Sequence, residues 1–228
     1  MTTSLDSSTW TDLPDRPIVL VPLGSTEQHG PHLPFTTDAI IAEAVARASA
    51  QRISEATGRD VVVAPTLAYG ASGEHQGFPG TISIGHEALR HVLVEMIRSI
   101  STWANSIVLV NGHGGNTPTV KEVMHQLRHE QHDVTSIDCS LESPTDAHAG
   151  HDETSLMLYL NPNLVRMNTA APGNTQPLDE ILQDLMAVGV RPVSPSGVLG
   201  DPSTADARTG QELFQELIDH VVAHSRTT

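Results

Sequence analysis

Three carboxylates and two imidazoles lie in short polar segments that contain or adjoin glycine. Carboxylates can bridge two cations, imidazole binds zinc and iron well, and the set has no thiolate that would favour a structural zinc knot. Together these side chains could hold two divalent ions, Fe²⁺, Zn²⁺ or Mn²⁺. Two metal ions held side by side activate water in hydrolases. We therefore predict metal-dependent hydrolysis. The five candidate ligands are Glu27, His29, Asp38, His113 and Glu153.

Only a few of the 13 histidines are candidates for metal binding. Seven others lie in polar helical patterns, where exposure to solvent is the more common outcome. Glu27 and His29 differ, because they follow a hydrophobic run two residues apart, and an extended backbone directs such residues to one side. The seven histidines that we expect on solvated helix faces are His86, His91, His125, His129, His132, His220 and His224.

Length, charge and cysteine content limit the class of protein. With 228 residues, 38% of them hydrophobic, the chain can bury a sizeable core, and we predict a single domain over residues 1–228. Twelve basic and 27 acidic residues give a net charge of −15, which disfavours nucleic acid or an anionic membrane as a partner. The only cysteine, Cys139, excludes an internal disulfide and favours the reducing cytoplasm. No apolar segment approaches the ~20 residues of a membrane-spanning helix, and the first ten residues lack a secretory signal pattern.

Hydrophobic periodicity predicts an α/β fold. Apolar runs rich in β-branched residues indicate strands that are buried on both faces, at 17–23, 61–67, 106–112 and 133–139. Helical periodicity occupies the segments between them and the C-terminal stretch, at 38–56, 85–104, 116–130 and 208–223. This alternation predicts a three-layer domain with a largely parallel central sheet flanked by helices.

Two of the candidate metal-binding segments directly follow predicted strands. GSTEQHG follows the first strand and NGHGGN follows the third. Ligands in open α/β sheets usually bind beyond the carboxyl ends of the strands. We therefore expect Glu27, His29 and His113 on one rim of the sheet, where the glycines of NGHGGN would allow a tight turn and close backbone approach.

Three longer segments resemble the creatininase, or creatinine amidohydrolase, family. They are YGASGEHQGFPGTISIG at 69–85, HAGHDETS at 148–155 and SPSGVLGDPSTA at 194–205. The chain resembles this family from about Pro17 to the last predicted helix. The three segments are most similar to a branch that trims a modified, ribosomally made peptide. Matches of this length are specific, whereas NGHGGN alone would be weak.

The resemblance implies a Rossmann-like α/β fold, a homo-oligomer and two divalent ions. It implies that Glu27 and His113 hold one ion and that His29 and Glu153 hold the other. Asp38 would bridge the two ions.

The chain departs from the family pattern at Gly115 and His151. Creatininase has a glutamate where this chain has Gly115, so we expect Glu153 to supply the replacement carboxylate and creatinine not to be the substrate. Related branches often carry glutamate at the position of His151. Here the histidine could tune substrate choice or carry a proton, and a solvent-facing position before a helix explains it equally well.

Catalytic roles also come from the resemblance. His148 matches the family's catalytic histidine and is our candidate for donating a proton to the leaving amine. The alternative for His148 is a supporting role beside the metal ligands. Glu153 could shuttle protons as well as bind metal.

Candidate substrate-binding residues lie mainly in the loop SGEHQGFPGT. Glu74 and His75 could line the substrate cleft, and Phe78 could offer it an apolar wall. The alternative is a loop held by its own hydrogen bonds or by a subunit contact. Asn116, which could cap the following helix or orient a ligand, and His151 complete this set.

The implied reaction is metal-dependent hydrolysis of an amide near the C-terminus of a modified ribosomal peptide. The cut would release a crosslinked unit derived from a terminal Val-Tyr. Two alternatives are hydrolysis of a small cyclic amide or formamide, and a binding protein in which the ions only hold loops together. Five ligands for two ions leave open coordination positions, which favours catalysis over the binding protein.

Overall fold

A computed structural model of this chain describes residues 1–225, and it contains five strands. They are β1 Thr2–Ser4, β2 Ile18–Leu23, β3 Val61–Val63, β4 Ser106–Asn111 and β5 Val134–Asp138. The strands form one sheet in the order β1-β3-β2-β4-β5, and every neighbouring pair is parallel. The predicted α/β class with a largely parallel sheet is confirmed.

Two strands differ from the prediction. β1 was missed because its sequence, TTS, is polar, and it gains its partner only by pairing with β3 at the sheet edge. The predicted strand at 61–67 is shorter, since Pro65 has no N–H to donate to the ladder. Pairing resumes at Leu67, which forms an isolated parallel bridge with Leu23.

Helices cover both faces of the sheet. They are α1 Thr37–Thr57, α2 Gly85–Ile100, α3 Thr117–His129, α4 His151–Leu160, α5 Leu178–Val188, α6 Val190–Val193 and α7 Ala207–Ser225. Short 3₁₀ turns complete the chain at Leu5–Ser7, Trp10–Asp12, Gly73–His75, Gly114–Asn116, Pro162–Leu164, Met167–Thr169 and Pro202–Thr204. The four predicted helices correspond to α1, α2, α3 and α7, whereas α5 was not predicted.

The sheet separates two hydrophobic layers. Successive strand residues point to opposite faces, so Leu20 and Val108 join one layer while Val19 and Leu109 join the other. The first layer packs against α1, α4 and α7, and the second packs against α2 and α3. The strands are therefore buried on both faces, which explains their nearly continuous apolar runs.

Two glycines bring the start of α1 against the carboxyl ends of β2 and β4. A Cβ atom at Gly24 would lie 2.5 Å from Cα of Ala39, and one at Gly112 would lie 2.7 Å from the carbonyl oxygen of Asp38. Both distances are too short for any side chain. These glycines therefore set the depth at which Asp38 sits between the two strands.

No helix within residues 1–225 is long and apolar enough to cross a membrane.

Candidate metal centre

The loop after β2 carries Glu27 and His29, and both side chains are buried. The backbone N–H of Glu27 donates to the carbonyl of Phe35 at 3.0 Å, which closes the loop. Nδ1 of His29 lies 3.1 Å from the carbonyl oxygen of Glu27. A hydrogen bond from Nδ1 to this oxygen leaves Nε2 of His29 as the atom available to a metal.

Asp38 lies in the first turn of α1, where the helix dipole favours a negative charge. Its Oδ1 atom is 2.9 Å from Nε2 of His29, and its Oδ2 atom is 3.3 Å from Nδ1 of His113. One buried carboxylate thus faces both imidazoles. This is the arrangement expected if each imidazole bound one ion and the carboxylate bridged the two.

His113 follows β4, and Asn111 at the end of that strand holds its backbone. The Asn111 side chain donates to the carbonyl of His113 at 2.9 Å and accepts from its N–H at 3.3 Å. Nε2 of His113 lies 3.2 Å from Oε2 of Glu27. The ends of β2 and β4 therefore meet at this imidazole, as expected for neighbouring parallel strands.

Glu153 lies in the first turn of α4, and 26% of its side chain is exposed. Its Oε2 atom is 3.8 Å from Nε2 of His29 and accepts the N–H of Ala149 at 2.6 Å. Ala149 has a φ of +52°, in the left-handed region that residues other than glycine rarely adopt. This turn lies between His148 and Glu153, which both line one cavity.

The structure brings all five predicted ligands into one cluster. Glu27, Asp38 and His113 form one group, and His29, Asp38 and Glu153 form another. Within each group, one ligand atom from each residue lies within 4.8 Å of the others. Asp38 belongs to both of these groups, so a pair of ions could share it. Two further sets lie equally close together, Glu27 with His29 and His148, and Glu27 with Glu74 and His75.

The buried oxygens of this cluster fit a pair of cations. Within residues 1–225, both carboxylate oxygens of Glu27 and Oδ2 of Asp38 are buried without a hydrogen-bond partner. A buried carboxylate needs hydrogen-bond donors, an opposite charge or a metal to offset its lost hydration. Divalent ions held by these carboxylates and imidazoles would satisfy that need.

Burial and the charges of neighbouring residues shift the pKa values of the candidate ligands. Burial, reinforced by the charge of Asp38, raises the pKa of Glu27 to about 7. Burial opposes charge on His29, but the Asp38 carboxylate outweighs it and raises the pKa of this imidazole to about 10. The same opposition between burial and nearby carboxylates, led by Glu27, raises the pKa of His113 well above its usual value. Burial raises the pKa of Glu153 to about 7. Such concentrated shifts are typical of functional sites.

Two further imidazoles, His75 and His148, lie against the cluster. The His148 ring centroid is 4.4 Å from those of both His29 and His75. Nε2 of His75 is 3.3 Å from Oε1 of Glu27, and Nδ1 of His148 is 3.8 Å from the same oxygen. Burial lowers the pKa of His75 to about 4 and that of His148 well below its usual value.

The cluster opens into a cavity of about 1170 Å³. Of the predicted site residues, those that line it are Asp38, Glu74, His75, His113, His148 and Glu153. Glu74 also reaches the cluster, with Oε1 3.4 Å from Nε2 of His113. A Cβ atom at Gly115 would lie 2.5 Å from this Glu74 oxygen, so the glycine leaves space for the Glu74 carboxylate.

Phe78 and His151 do not line this cavity. Phe78 lines a second cavity of about 670 Å³, which His29 also lines. The Phe78 ring lies under the guanidinium of Arg191, whose central carbon is 5.8 Å from the ring centroid. The backbone N–H of His151 donates to Asp146, and its Nδ1 lies 3.2 Å from Oδ1 of Asp152. These contacts hold the start of α4 and do not support a direct substrate contact.

Asn116 connects three loops of the site. Its side-chain oxygen accepts the N–H of Ala71 at 2.8 Å, and its amide donates to the carbonyl of Gly24 at 3.1 Å. Asn116 is the N-cap residue of α3, as predicted, but its side chain makes no capping hydrogen bond to the helix. Because Asn116 is buried and outside the cavity lining, its position indicates support of the ligand-bearing loops.

Sequence reasoning missed Gln28 and the contribution of residues 178–192 to the lining of the cavity. The Gln28 amide nitrogen lies 2.9 Å from Nδ1 of His75 and 3.1 Å from Nε2 of His148, and it donates to the carbonyl of Gly197 at 3.0 Å. Side chains alternate in direction along an extended segment, so Gln28 was expected to point away from Glu27 and His29. The sequence pattern therefore did not indicate that Gln28 belongs to the site. The 178–188 segment did carry a signal, since apolar residues recur there at helical spacing between Pro177 and Gly189.

Comparisons with known proteins agree with this architecture. The creatininase family model, described as creatinine amidohydrolase, matches residues 6–224. The mycofactocin precursor peptide peptidase of Mycolicibacterium smegmatis is 50% identical over 203 residues, which cover 89% of this chain and 82% of that protein. A Bacteroides fragilis protein described as a creatinine amidohydrolase superposes with a TM-score of 0.82 at 21% identity, covering 97% of this chain and 94% of its own. A creatininase structure with manganese superposes with a TM-score of 0.74 at 24% identity, covering 98% and 97%.

The family model covers nearly all of the described residues, and a relative at 50% identity spans most of the chain. The chain therefore belongs to the creatininase family and is a hydrolase that acts on C–N bonds.

Proposed function

We propose that this protein hydrolyses an amide near the C-terminus of the modified mycofactocin precursor peptide and releases its crosslinked Val-Tyr-derived unit. Support comes from the relatives at 50% identity and from the cluster of five candidate ligands. The observation that carries the proposal is the buried cluster opening into a cavity of about 1170 Å³. Pockets for drug-sized ligands occupy about 300–1,000 Å³, so this cavity is large enough for the end of a peptide.

The two ions are proposed to be held by the residues that form the two overlapping groups. Glu27, Asp38 and His113 would hold one ion, and His29, Asp38 and Glu153 the other. Their chemistry would be to make water more acidic and to polarise the scissile carbonyl. Carboxylate and imidazole ligands suit Fe²⁺, Zn²⁺ and Mn²⁺.

His148 is proposed to move the proton that amide hydrolysis requires. Cleavage adds the hydroxyl of water to the carbonyl carbon and a proton to the leaving nitrogen. His148 lines the cavity, and its ring centroid lies 4.4 Å from that of His29, so it lies beside the reacting groups. It also groups with Glu27 and His29, but the division of ligands proposed above leaves it free to carry a proton. An imidazole at this position can accept the water proton and deliver it to the nitrogen as the C–N bond breaks.

Glu74 and His75 are proposed to orient the scissile amide. Both line the cavity, and the backbone of His75 belongs to the 3₁₀ turn Gly73–His75, which fixes its direction. The contact between Glu74 and His113 keeps this carboxylate at the cluster edge. It can therefore accept a hydrogen bond from the substrate N–H.

The cellular setting is also part of the proposal. The single cysteine supports a reducing cytoplasm, and the family resemblance supports a homo-oligomer. Sedimentation analysis at micromolar concentration would give the number of chains.

The direct test is incubation of the purified protein with three substrates: the modified precursor, the unmodified precursor and a panel of small cyclic amides and formamides. We expect mass spectrometry to show one cut in the modified precursor, with release of its C-terminal unit. Cleavage of a small amide with no action on the peptide would replace this function with the creatininase-like alternative.

A further inference from the structure

Helix α5 turns an apolar stripe toward the cavity that holds the candidate metal centre. Leu178, Leu182 and Met186 recur every fourth residue, so they lie along one side of the helix. Their exposed fractions are 47%, 45% and 81%. All three line the same cavity as His113 and Glu153. We call these three residues the α5 stripe.

The charged residues of α5 avoid this cavity. Asp179, Glu180 and Asp184 are exposed but are absent from its lining, whereas the lining contributed by 178–190 is entirely apolar or glycine. Large apolar side chains that adjoin one another on the exposed surface of a protein usually mark a binding site. Their segregation toward the cavity indicates a ligand with an apolar surface.

Two buried residues beside the α5 stripe anchor this helix next to the cluster. Ile181 and Leu185 adjoin the α5 stripe on the helix and are buried in a small core with Val190 and Leu199. At the end of the helix, Gly189 has a φ of +77°, and a Cβ atom there would lie 2.8 Å from the carbonyl oxygen of Glu74. α5 is thus packed directly on the loop that carries Glu74, which fixes the α5 stripe relative to the candidate metal centre.

We infer that the α5 stripe is the subsite for the apolar side chains beside the scissile amide of the peptide. The inference rests on the proposed function and adds the residues that select its substrate. Leucine and methionine side chains suit this role because flexible aliphatic and thioether groups adapt to valine-like and aromatic surfaces.

Charge argues against a second copy of this chain as the occupant. A symmetric contact through the α5 stripe would join two chains that each carry a net charge of −15, and like charges across an interface oppose association. A neutral apolar peptide end carries no such penalty.

The test compares the wild type with a Leu182→Gln/Met186→Gln variant. Glutamine keeps high helix propensity while removing the apolar surface. Gln183→Ala, on the charged side of α5, is the matched control. We expect the double variant to weaken calorimetric binding of the modified peptide and to raise KM by about tenfold or more. Its kcat, metal content, melting temperature and sedimentation should remain those of the wild type.

Two results would overturn the inference. Equal peptide affinity in the double variant would show that the α5 stripe does not contact substrate. A smaller oligomer in that variant would assign the stripe to a subunit contact.

Failure of the proposed function can be recognised separately with N-acetylvaline tyramide, which carries valine and tyrosine side chains. If the wild type cleaves no peptide but binds this probe, and the double variant does not, the apolar subsite stands without the peptidase function. A wild type that binds neither ligand would contradict both proposals.

Discussion

Nε2 of His29 lies 2.9 Å from Oδ1 of Asp38, and both side chains are buried. The other oxygen of the same carboxylate faces His113 at 3.3 Å. Asp38 therefore connects the imidazole that follows β2 with the one that follows β4. This shared carboxylate is the geometric basis for proposing two ions in one site.

Asp38→Asn should remove much of the affinity for both ions, because an amide lacks the charge with which the carboxylate would neutralise them. We expect the metal content of the purified variant to fall from about two ions per chain to less than one, and kcat/KM to fall by at least about 10³. Elemental analysis and turnover measure the two effects. The exposed Asp133→Asn is the control, and full metal content in Asp38→Asn would contradict the bridging role.

Glu153→Gln should affect mainly one ion. Glu153 groups with His29 and Asp38 but not with Glu27 and His113. We expect about one ion per chain to be lost or its affinity to drop by about 10–100-fold. Titration of metal-stripped protein would show one weakened site and one retained site. Two unchanged sites would mean that Glu153 acts only on protons or substrate.

His148→Gln should separate proton transfer from metal binding. Glutamine can still donate to the Gln28 carbonyl, which lies 2.9 Å from Nε2 of His148, but it cannot carry a proton. We expect kcat to fall by about 10²–10⁴ while both ions remain bound. Substantial activity in this variant would exclude His148 as the proton carrier, and loss of an ion would indicate that His148 is itself a ligand, since it groups with Glu27 and His29.

Metal affinity should decrease as pH falls. Protons and cations compete for His29 and His113, and carboxylates raise the pKa of both, to about 10 for His29. Below that value the imidazole binds a proton that the metal must displace, so log affinity should rise by about one unit per pH unit for each proton released. Calorimetric titration in buffers of different ionisation enthalpy would count these protons. Affinity independent of pH between 6 and 8 would contradict this competition.

Asn116→Ala should destabilise the fold around the site. The change leaves the buried N–H of Ala71 and the buried carbonyl of Gly24 without their partner. We expect about 1–3 kcal/mol of lost unfolding free energy, measured by urea denaturation with metal present. The exposed Asn168→Ala provides the matched control. A wild-type midpoint in Asn116→Ala would show that the loops do not depend on this side chain.

Much of the fold could be predicted because the central strands are buried on both faces. Their apolar runs are strong local signals, and α2, α3 and α7 carry clear helical periodicity. The edge strand Thr2–Ser4 carries no such signal, since only its pairing with Val61–Val63 makes it a strand. The order of the strands is likewise a long-range property that local patterns do not contain.

The positions of ligands that directly follow strands could be predicted. Contacts that depend on how loops pack against one another could not. Glu27, His29 and His113 were expected on one rim because parallel strands end at one edge. The approach of Glu74 to His113 depends instead on the space left by Gly115, which is visible only in three dimensions. Asn116 occupies the N-cap position of α3 as expected, but its side chain bonds to the loops at Gly24 and Ala71 instead of capping the helix, and those partners are distant in sequence.

The most direct test of the account is turnover of the modified precursor by metal-stripped protein that is refilled separately with Fe²⁺, Zn²⁺ or Mn²⁺. Metal content and released products would be measured on the same samples. We predict no cleavage by the stripped protein and a single cut near the C-terminus once about two ions per chain are bound. Equal cleavage without metal, or none with both ions bound, would contradict the claim that this cluster is a two-ion peptidase site.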